Sequence, residues 1–288
     1  MKLATQPITD ELRRWILSQS RAGCSQQDLL VAMRASGWSE SVAAAALRQA
    51  LRERPVEGDA GHGTLTAVGP ARVPEPDLDG APAVLRAGDR DVCVLATMQC
   101  PRVVVFGGLL SDAECAGLID LAAPRLARSE TVDNATGGSE VNAARTSDGM
   151  FFERGEVPLI MTIEQRIAEL LRWPVENGEG LQILRYRPGA EYRPHHDYFD
   201  PQHPGTVRIL QRGGQRVGTL VMYLSTPQGG GSTSFPDVGL EIAPVRGNAV
   251  FFSYDRAHPD TRTLHGGAPG TAGETWVATK WRREGEFV

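Results

Sequence analysis

The sequence predicts an α+β fold in which helices buttress a double-stranded β-helix (jelly-roll) core, preceded by a small N-terminal three-helix bundle. Helical periodicity is confined to the residues before Gly180, and after Gly180 short β-rich runs alternate with Gly-rich turns. Many short strands at close spacing are typical of a sandwich or barrel. We therefore place the jelly-roll core at about residues 178–285. The clearest predicted strands are 181–186, 218–224, 240–243, 249–254 and 275–281.

Helices are predicted in two regions ahead of this core. In residues 1–53, apolar-periodic segments interrupted by Gly23 and Gly37 indicate a small helical bundle. Further on, Ser111-Asp-Ala-Glu114 is a capping-box pattern that opens an amphipathic helix, and residues 159–172 predict another. The bundle helices are expected at 10–22, 26–35 and from Ser39 or Ser41 to Leu51.

Composition divides the chain into three regions. Residues 54–82, after the bundle, are dominated by Pro, Gly, Asp and Ala and lack periodicity, which predicts a flexible linker. Residues 83–288 are long enough to form one large domain.

Composition also limits which binding partners and which cellular compartment are expected. The chain has 30 basic and 35 acidic residues, a net charge of −5, and no long run of either sign. We therefore expect no nucleic-acid partner and no membrane partner. Its cysteines show no Cys-x-x-Cys spacing and are predicted to be free thiols. The first fifteen residues contain no stretch resembling a signal peptide, so a cytoplasmic protein is expected.

The strongest functional signal is His195 and Asp197, followed much later by His265. Side chains two apart on a strand share a face, so His195 and Asp197 are expected to project together while His196 points away. A third ligand must come from a neighbouring strand, which explains the long gap. Two imidazoles and one carboxylate can occupy one face of an octahedral metal and leave three positions open, as non-haem Fe(II) oxygenases require.

Separated motifs then give the chain a family resemblance from about Pro101 onwards, with the N-terminal bundle outside it. The motifs are residues 145–151, 186–199, 229–236 and 263–269, with 276–281 after the last. With these motifs the chain resembles 2-oxoglutarate- and Fe(II)-dependent dioxygenases of the prolyl 4-hydroxylase type. The resemblance implies hydroxylation of an unactivated C–H bond, in first place that of a peptidyl proline.

The resemblance also implies roles for particular residues. His195, Asp197 and His265 would bind Fe(II) and serve catalysis, with 2-oxoglutarate and dioxygen as co-substrates and ascorbate as reductant. Tyr186 would line the co-substrate pocket, and Arg145 would belong to the groove for a peptide or protein substrate, including a Pro-rich one. Residues 133–138 are expected to form a mobile lid over that groove.

One position departs from the family pattern. The lysine that usually binds the far carboxylate of 2-oxoglutarate, ten residues after the distal histidine, is replaced by Thr275. A buried carboxylate without its cation costs about 3–5 kcal/mol. Strand alternation places Lys280 on the opposite face, so we expect Thr275 to hold the co-substrate weakly, aided by an arginine such as Arg185 or Arg187.

Other functions stay open at this point. The same fold could hydroxylate a free amino acid or a small metabolite. Because of Thr275, the protein could instead use another oxo acid, or be a catalytically weakened, metal-binding protein that recognises peptides.

Overall fold

The structure is a computed structural model in which two compact units, Met1–Gly69 and Pro70–Val288, are distinguished. It describes residues 12, 15–17, 19, 26–35, 38–52, 72–132, 136, 138–140 and 143–288. Several predictions concern positions outside these ranges: most of helix 10–22, Gly23, Gly37, Cys24, linker residues 54–71 and most of the 133–138 lid.

In the first unit, α1 (Gln26–Ala35) and α2 (Glu40–Arg52) agree with the predicted helices. Ser39 supplies the cap of α2, because its Oγ accepts a hydrogen bond from the Val42 N–H at 3.4 Å. The apolar sides of both helices form a small core that contains Ile16, Leu29, Met33, Ala43, Ala46, Leu47 and Ala50.

The second unit combines helices with many short strands. Its helices are α3 (Asp112–Ala122), α4 (Pro158–Leu171) and α5 (Thr206–Leu210). Its strands are β1 (Val84–Ala87), β2 (Arg90–Met98), β3 (Arg102–Gly107), β4 (Ala127–Arg128), β5 (Thr131–Val132), β6 (Ser139–Glu140), β7 (Asp148–Phe152), β8 (Leu181–Tyr186), β9 (Tyr192–His195), β10 (Arg216–Tyr223), β11 (Gly229–Gly230), β12 (Thr233–Phe235), β13 (Leu240–Ile242), β14 (Ala249–Ser253), β15 (His265–Gly267), β16 (Gly270–Ala272) and β17 (Thr275–Arg283).

In the described part of the chain, these strands form a large and a small antiparallel sheet. The large sheet has the order β1-β2-β3-β14-β10-β17-β8-β7-β4, and the small sheet has the order β13-β12-β15-β9. The strand pairs β11–β16 and β5–β6 lie outside both sheets. An apolar cluster joins the two sheets, with the ring of Phe235 edge-on to that of Phe252 at 5.2 Å. The facing sheets confirm the predicted jelly-roll core.

Strand β17 shows how the large sheet separates two environments. The strand is buried along its whole length. Its odd-numbered side chains line a cavity between the sheets; these are Thr275, Val277, Thr279 and Trp281. Its even-numbered side chains pack towards the helices; these are Trp276, Ala278 and Lys280. Lys280 therefore lies on the face opposite Thr275, as predicted, where it pairs with Glu164 of α4.

Helices α3 and α4 cover the outer face of the large sheet. The predicted capping box is present: Ser111 Oγ accepts from the Glu114 N–H at 3.2 Å, and the Glu114 carboxylate accepts from the Ser111 N–H at 2.7 Å. The buried guanidinium of Arg166 on α4 donates to Glu114 and to Asp89. These bonds tie α4 to α3 and to the turn between β1 and β2.

The main unit begins earlier than predicted. Residues 72–82 were expected to belong to the linker, but Pro74 and Pro76 are buried and the Glu75 N–H donates to Leu171 O at 2.9 Å. Strands β1, β2 and β7 were also missed. No helix within the described ranges has the length and apolar character needed to cross a bilayer.

Candidate active site

Three side chains meet in the cavity between the sheets. His195 ends β9 and His265 begins β15, and the two are register partners in the small sheet. Asp197 lies two residues beyond β9 rather than on the strand as predicted, yet its carboxylate reaches both rings. Its Oδ1 is 3.5 Å from Nε2 of His195, and its Oδ2 is 3.4 Å from Nε2 of His265. All three ligand atoms lie within 4.8 Å of one another, close enough to share one metal ion.

Hydrogen bonds set the protonation of both imidazoles. His195 Nδ1 contacts Arg193 O at 2.9 Å, and His265 Nδ1 contacts Thr263 O at 2.9 Å. Because a carbonyl oxygen only accepts, each Nδ1 carries a hydrogen, so in the neutral imidazole the lone pair lies on Nε2, the nitrogen that faces Asp197. Neutral imidazoles oriented through their second nitrogen are what a metal site needs. The donor set therefore fits a divalent metal such as Fe(II).

The electrostatics of the cavity favour the same state. Burial lowers the pKa of His195, which keeps its imidazole neutral. Burial by itself raises the pKa of Asp197, but attraction to imidazoles that carry a proton on Nε2, that of His265 first, outweighs burial and holds that pKa well below its usual range. Asp197 is therefore ionised, and a bound metal cation would take the place of those protons.

Two buried hydroxyls that sequence reasoning missed support Asp197 from behind. Thr219 Oγ1 donates to Oδ2 of Asp197 at 2.7 Å. The same Oγ1 lies 2.9 Å from the Oη of Tyr254, and since the threonine hydrogen is directed to the carboxylate, the tyrosine is the donor in this second bond. No motif marks either residue, because their relation to Asp197 arises from the pairing of β10 with β14.

Aromatic rings restrain both histidines. Tyr192 stacks on His195 with ring centroids 3.7 Å apart, and Phe252 lies 4.5 Å from His265. His196 instead stacks on Tyr198 at 4.7 Å and lies off the ligand face, as predicted. The packed rings hold the ligand atoms in place before any metal binds.

The proposed co-substrate residues lie together in a pocket of about 610 Å³ beside the ligands. Tyr186 and Thr275 are register partners on β8 and β17, and both line this pocket. The expected help from an arginine is not found: Arg185 and Arg187 pair with Asp148 at 2.9 and 3.1 Å, and neither lines the pocket. Arg185 precedes Tyr186 and Arg187 follows it, so the alternation of side chains along the strand directs both arginines to the face opposite the pocket.

Arg145 lies where the pocket opens into a larger groove of about 2300 Å³. Its Nη2 donates to Oε1 of Gln182 at 2.8 Å, and its guanidinium lies 4.7 Å from the ring centre of Tyr192. Trp281 of β17 lines both the pocket and the groove. Among the described residues its buried Nε1 has no hydrogen-bond partner.

A buried charge cluster closes one side of this groove. Glu179 accepts from Arg216 at 2.6 and 2.9 Å and from Arg283 at 2.7 Å. Burial by itself raises the pKa of Glu179, but the two guanidinium groups outweigh it and lower the pKa below its usual value. Arg216 Nη1 also reaches the carbonyl oxygen of Asp197 at 3.5 Å, so the cluster braces the segment that carries a metal ligand.

A site of two histidines and one carboxylate with an open face, inside a jelly roll, defines a mononuclear non-haem Fe(II) oxygenase.

Comparisons with known proteins identify the family within this class. Residues 181–283 match the family model described as the 2OG-Fe(II) oxygenase superfamily. "Prolyl 4-hydroxylase 5" of Arabidopsis thaliana is 39% identical over 208 residues, which cover 65% of this chain and 70% of that protein. "Prolyl 4-hydroxylase 1" of the same plant is 42% identical over 202 residues, covering 64% and 69%.

The chain therefore belongs to the prolyl 4-hydroxylase family of 2-oxoglutarate- and Fe(II)-dependent dioxygenases. Among solved structures, the 2OG complex of the viral collagen prolyl hydroxylase vCPH from Paramecium Bursaria Chlorella virus-1 shares 31% identity. That match has a TM-score of 0.47 and covers 62% of this chain and 94% of the viral chain.

Proposed function

We propose that this enzyme hydroxylates a prolyl residue within a peptide or protein, with 2-oxoglutarate and dioxygen as co-substrates. The names of the Arabidopsis relatives support proline as the target. The observation that carries the proposal is the continuity of the large groove with the metal site. Arg145, Tyr192, Asp197 and Trp281 line both cavities.

The walls of the groove favour a peptide over a free amino acid. Phe151 and Trp281, with ring centroids 6.4 Å apart, and Tyr192 give it aromatic walls. Proline-rich segments dock in aromatic-lined grooves because their extended helix is preformed. The free Nε1 of Trp281 could donate to a peptide carbonyl.

His195, Asp197 and His265 would hold the metal, and the remaining pocket residues orient the reactants. Bound Fe(II) supplies the oxidative decarboxylation of 2-oxoglutarate coupled to hydroxylation of the substrate C–H bond. Leu184, Val221 and Val277 give the pocket an apolar wall that excludes water. Tyr186 and Thr275 would contact the far end of the co-substrate, and Arg145 would act where the pocket meets the groove.

We also propose a reductant and a cellular compartment for the enzyme. Family resemblance supports ascorbate as the reductant, and the free thiols of Cys93, Cys100 and Cys115 support a reducing compartment such as the cytoplasm.

The test is incubation with Fe(II), 2-oxoglutarate, ascorbate and a short proline-containing peptide. We expect the peptide to gain one oxygen atom by mass spectrometry, with stoichiometric succinate. The same peptide with alanine in place of proline, and the His195→Ala enzyme, are the controls and should give neither product. Hydroxylation of free proline with the peptide left unchanged would favour the small-metabolite alternative instead.

A further inference from the structure

Two neighbouring side chains with hydroxyl groups line one end of the co-substrate pocket. Thr275 is 3% exposed and lines the pocket, and its Oγ1 has no hydrogen-bond partner in the part of the chain that the structure describes. Tyr186, its partner across β8 and β17, lines the same end. A buried, unpaired hydroxyl that lines a cavity is a group in need of a ligand atom.

No described cation reaches this end of the pocket. Arg145 is the described arginine that lines the pocket, but its guanidinium is bound to Gln182 and lies over Tyr192. Gln182 precedes Tyr186 by four residues on β8, which separates their backbones by about 13 Å at 3.3 Å per residue. Arg185 and Arg187 are paired with Asp148 on the other face. Lys280, also on β17, is turned towards the helices and paired with Glu164, as described above.

The space beside Thr275 is tightly bounded. Gly231 has a positive φ of 74°, and a Cβ at that position would lie 2.3 Å from Oγ1 of Thr275. The Thr275 hydroxyl is therefore covered on one side by bare backbone, and its free lone pairs and hydrogen are left for a ligand. A hydroxyl both donates and accepts, so it can bond a carboxylate or a neutral amide.

We propose that Thr275 makes this enzyme permissive for the tail of its co-substrate. A pocket that carries a lysine rejects a neutral tail, because the buried cation is then left unpaired, at about 10²- to 10³-fold in affinity. A pocket lined by hydroxyls carries no charge that a neutral tail would leave unpaired. The carboxylate tail of 2-oxoglutarate lacks its usual cation there, and the stronger hydrogen bonds that a charged group forms with hydroxyls offset part of that loss. The enzyme accordingly binds a 2-oxo acid that ends in a neutral carbonyl group within about tenfold of 2-oxoglutarate. This inference concerns the co-substrate alone and holds whichever substrate occupies the groove.

The test is calorimetric titration of the full chain loaded with Zn(II), which is redox-inert, so that affinity is read without turnover. The ligands are 2-oxoglutarate and 2,5-dioxohexanoate, in which a methyl group replaces one oxygen of the far carboxylate, so that the tail is neutral, similar in shape and free of an amide that would close onto the keto group. For the unaltered protein we expect dissociation constants within about tenfold of each other. A preference for 2-oxoglutarate above 100-fold would overturn the proposal, since it would require a cation at the far carboxylate.

Two variants sharpen the result. Thr275→Lys should move the ratio of the two dissociation constants by about 100-fold towards 2-oxoglutarate. Thr271→Lys adds the same charge at an exposed position outside the pocket and should leave the ratio unchanged. An equal shift in both variants, or no shift in Thr275→Lys, would show that the residue at 275 does not set the selectivity.

Discussion

Thr219 donates a 2.7 Å hydrogen bond to Oδ2 of Asp197 from a fully buried position. Because this bond occupies one lone pair of Oδ2, it determines which lone pairs of the carboxylate remain free to bind a metal ion. Partners of this kind usually change metal affinity by 10- to 100-fold when removed. Thr219→Val, which keeps the shape and loses the hydroxyl, should therefore weaken Zn(II) or Mn(II) binding by about tenfold or more. Competition with a metal-binding dye measures this.

Thr219→Ser is the matched control, because it keeps the hydroxyl and should retain most of the affinity. Tyr254→Phe should weaken metal binding less, since Tyr254 acts on Asp197 through Thr219. The combined variant should be no weaker than Thr219→Val alone. Additive losses would contradict the chain of hydrogen bonds from Tyr254 through Thr219 to Asp197.

Arg145 links the groove to the metal site, because it stacks on Tyr192 and Tyr192 stacks on His195. Arg145→Lys keeps the charge but loses the planar stack and the geometry of the bond to Gln182. We expect the KM for peptide to rise about tenfold, equivalent to roughly 1.4 kcal/mol, with the dissociation constant of 2-oxoglutarate unchanged. Arg187→Lys, at a 64% exposed side chain outside the pocket, should change neither. A weaker binding of 2-oxoglutarate in Arg145→Lys would show that the residue contacts the co-substrate as well as the peptide.

The Lys280–Glu164 pair is buried between β17 and α4, where both side chains are almost fully shielded from solvent. Lys280→Met leaves the Glu164 carboxylate without its cation and should lower the free energy of unfolding by about 3–5 kcal/mol. The double variant Lys280→Met/Glu164→Leu should recover most of that loss. Urea denaturation measures both, and a double variant as unstable as the single one would show that the charge pair is not the cause.

The same pair predicts a pH dependence of stability. Burial outweighs the attraction of Glu164 and lowers the pKa of Lys280 from 10.5 to about 8. Between these values the unfolded chain keeps the proton that the folded chain releases, so this group increases the free energy of unfolding as the pH rises. Below pH 8 Lys280 is charged in the folded protein as well, so the full free-energy cost of burying its charge is present there.

Relative to Lys280→Met/Glu164→Leu, the unaltered protein should gain stability from pH 8 to pH 10, by at most about 1.4 kcal/mol per pH unit. Urea unfolding at pH 8, 9 and 10 gives the difference. A difference that stays flat or falls would place the pKa of Lys280 near its ordinary value.

Residue type and spacing were enough to predict the jelly-roll class and the convergence of His195, Asp197 and His265 in one cavity. Few side chains bind iron, so His195, Asp197 and His265 stand out in a sequence even though they lie on different strands. Thr219, Tyr254 and Glu179 do not stand out, because common residues become functional through contacts that the sheet register creates. Such contacts cannot be read from local pattern.

Three errors have different physical origins. The expectation that Arg185 or Arg187 would reach the co-substrate was avoidable, since strand alternation beside Tyr186 already turns them away. Strand β2 was missed because it is an edge-side strand with several exposed positions and no apolar alternation. The start of the main unit was missed because the Pro-rich residues after 71 pack through backbone bonds and proline rings rather than in a periodic element.

The central claim is that His195, Asp197 and His265 together bind one metal ion. The most direct test is anaerobic titration of Fe(II) into the full chain and into the alanine variants of each residue, with His196→Ala as the neighbouring control. We predict one tight Fe(II) per chain, its loss in each of the three variants, and its retention in His196→Ala. Unchanged Fe(II) affinity in any of the three, or loss in His196→Ala alone, would contradict the account.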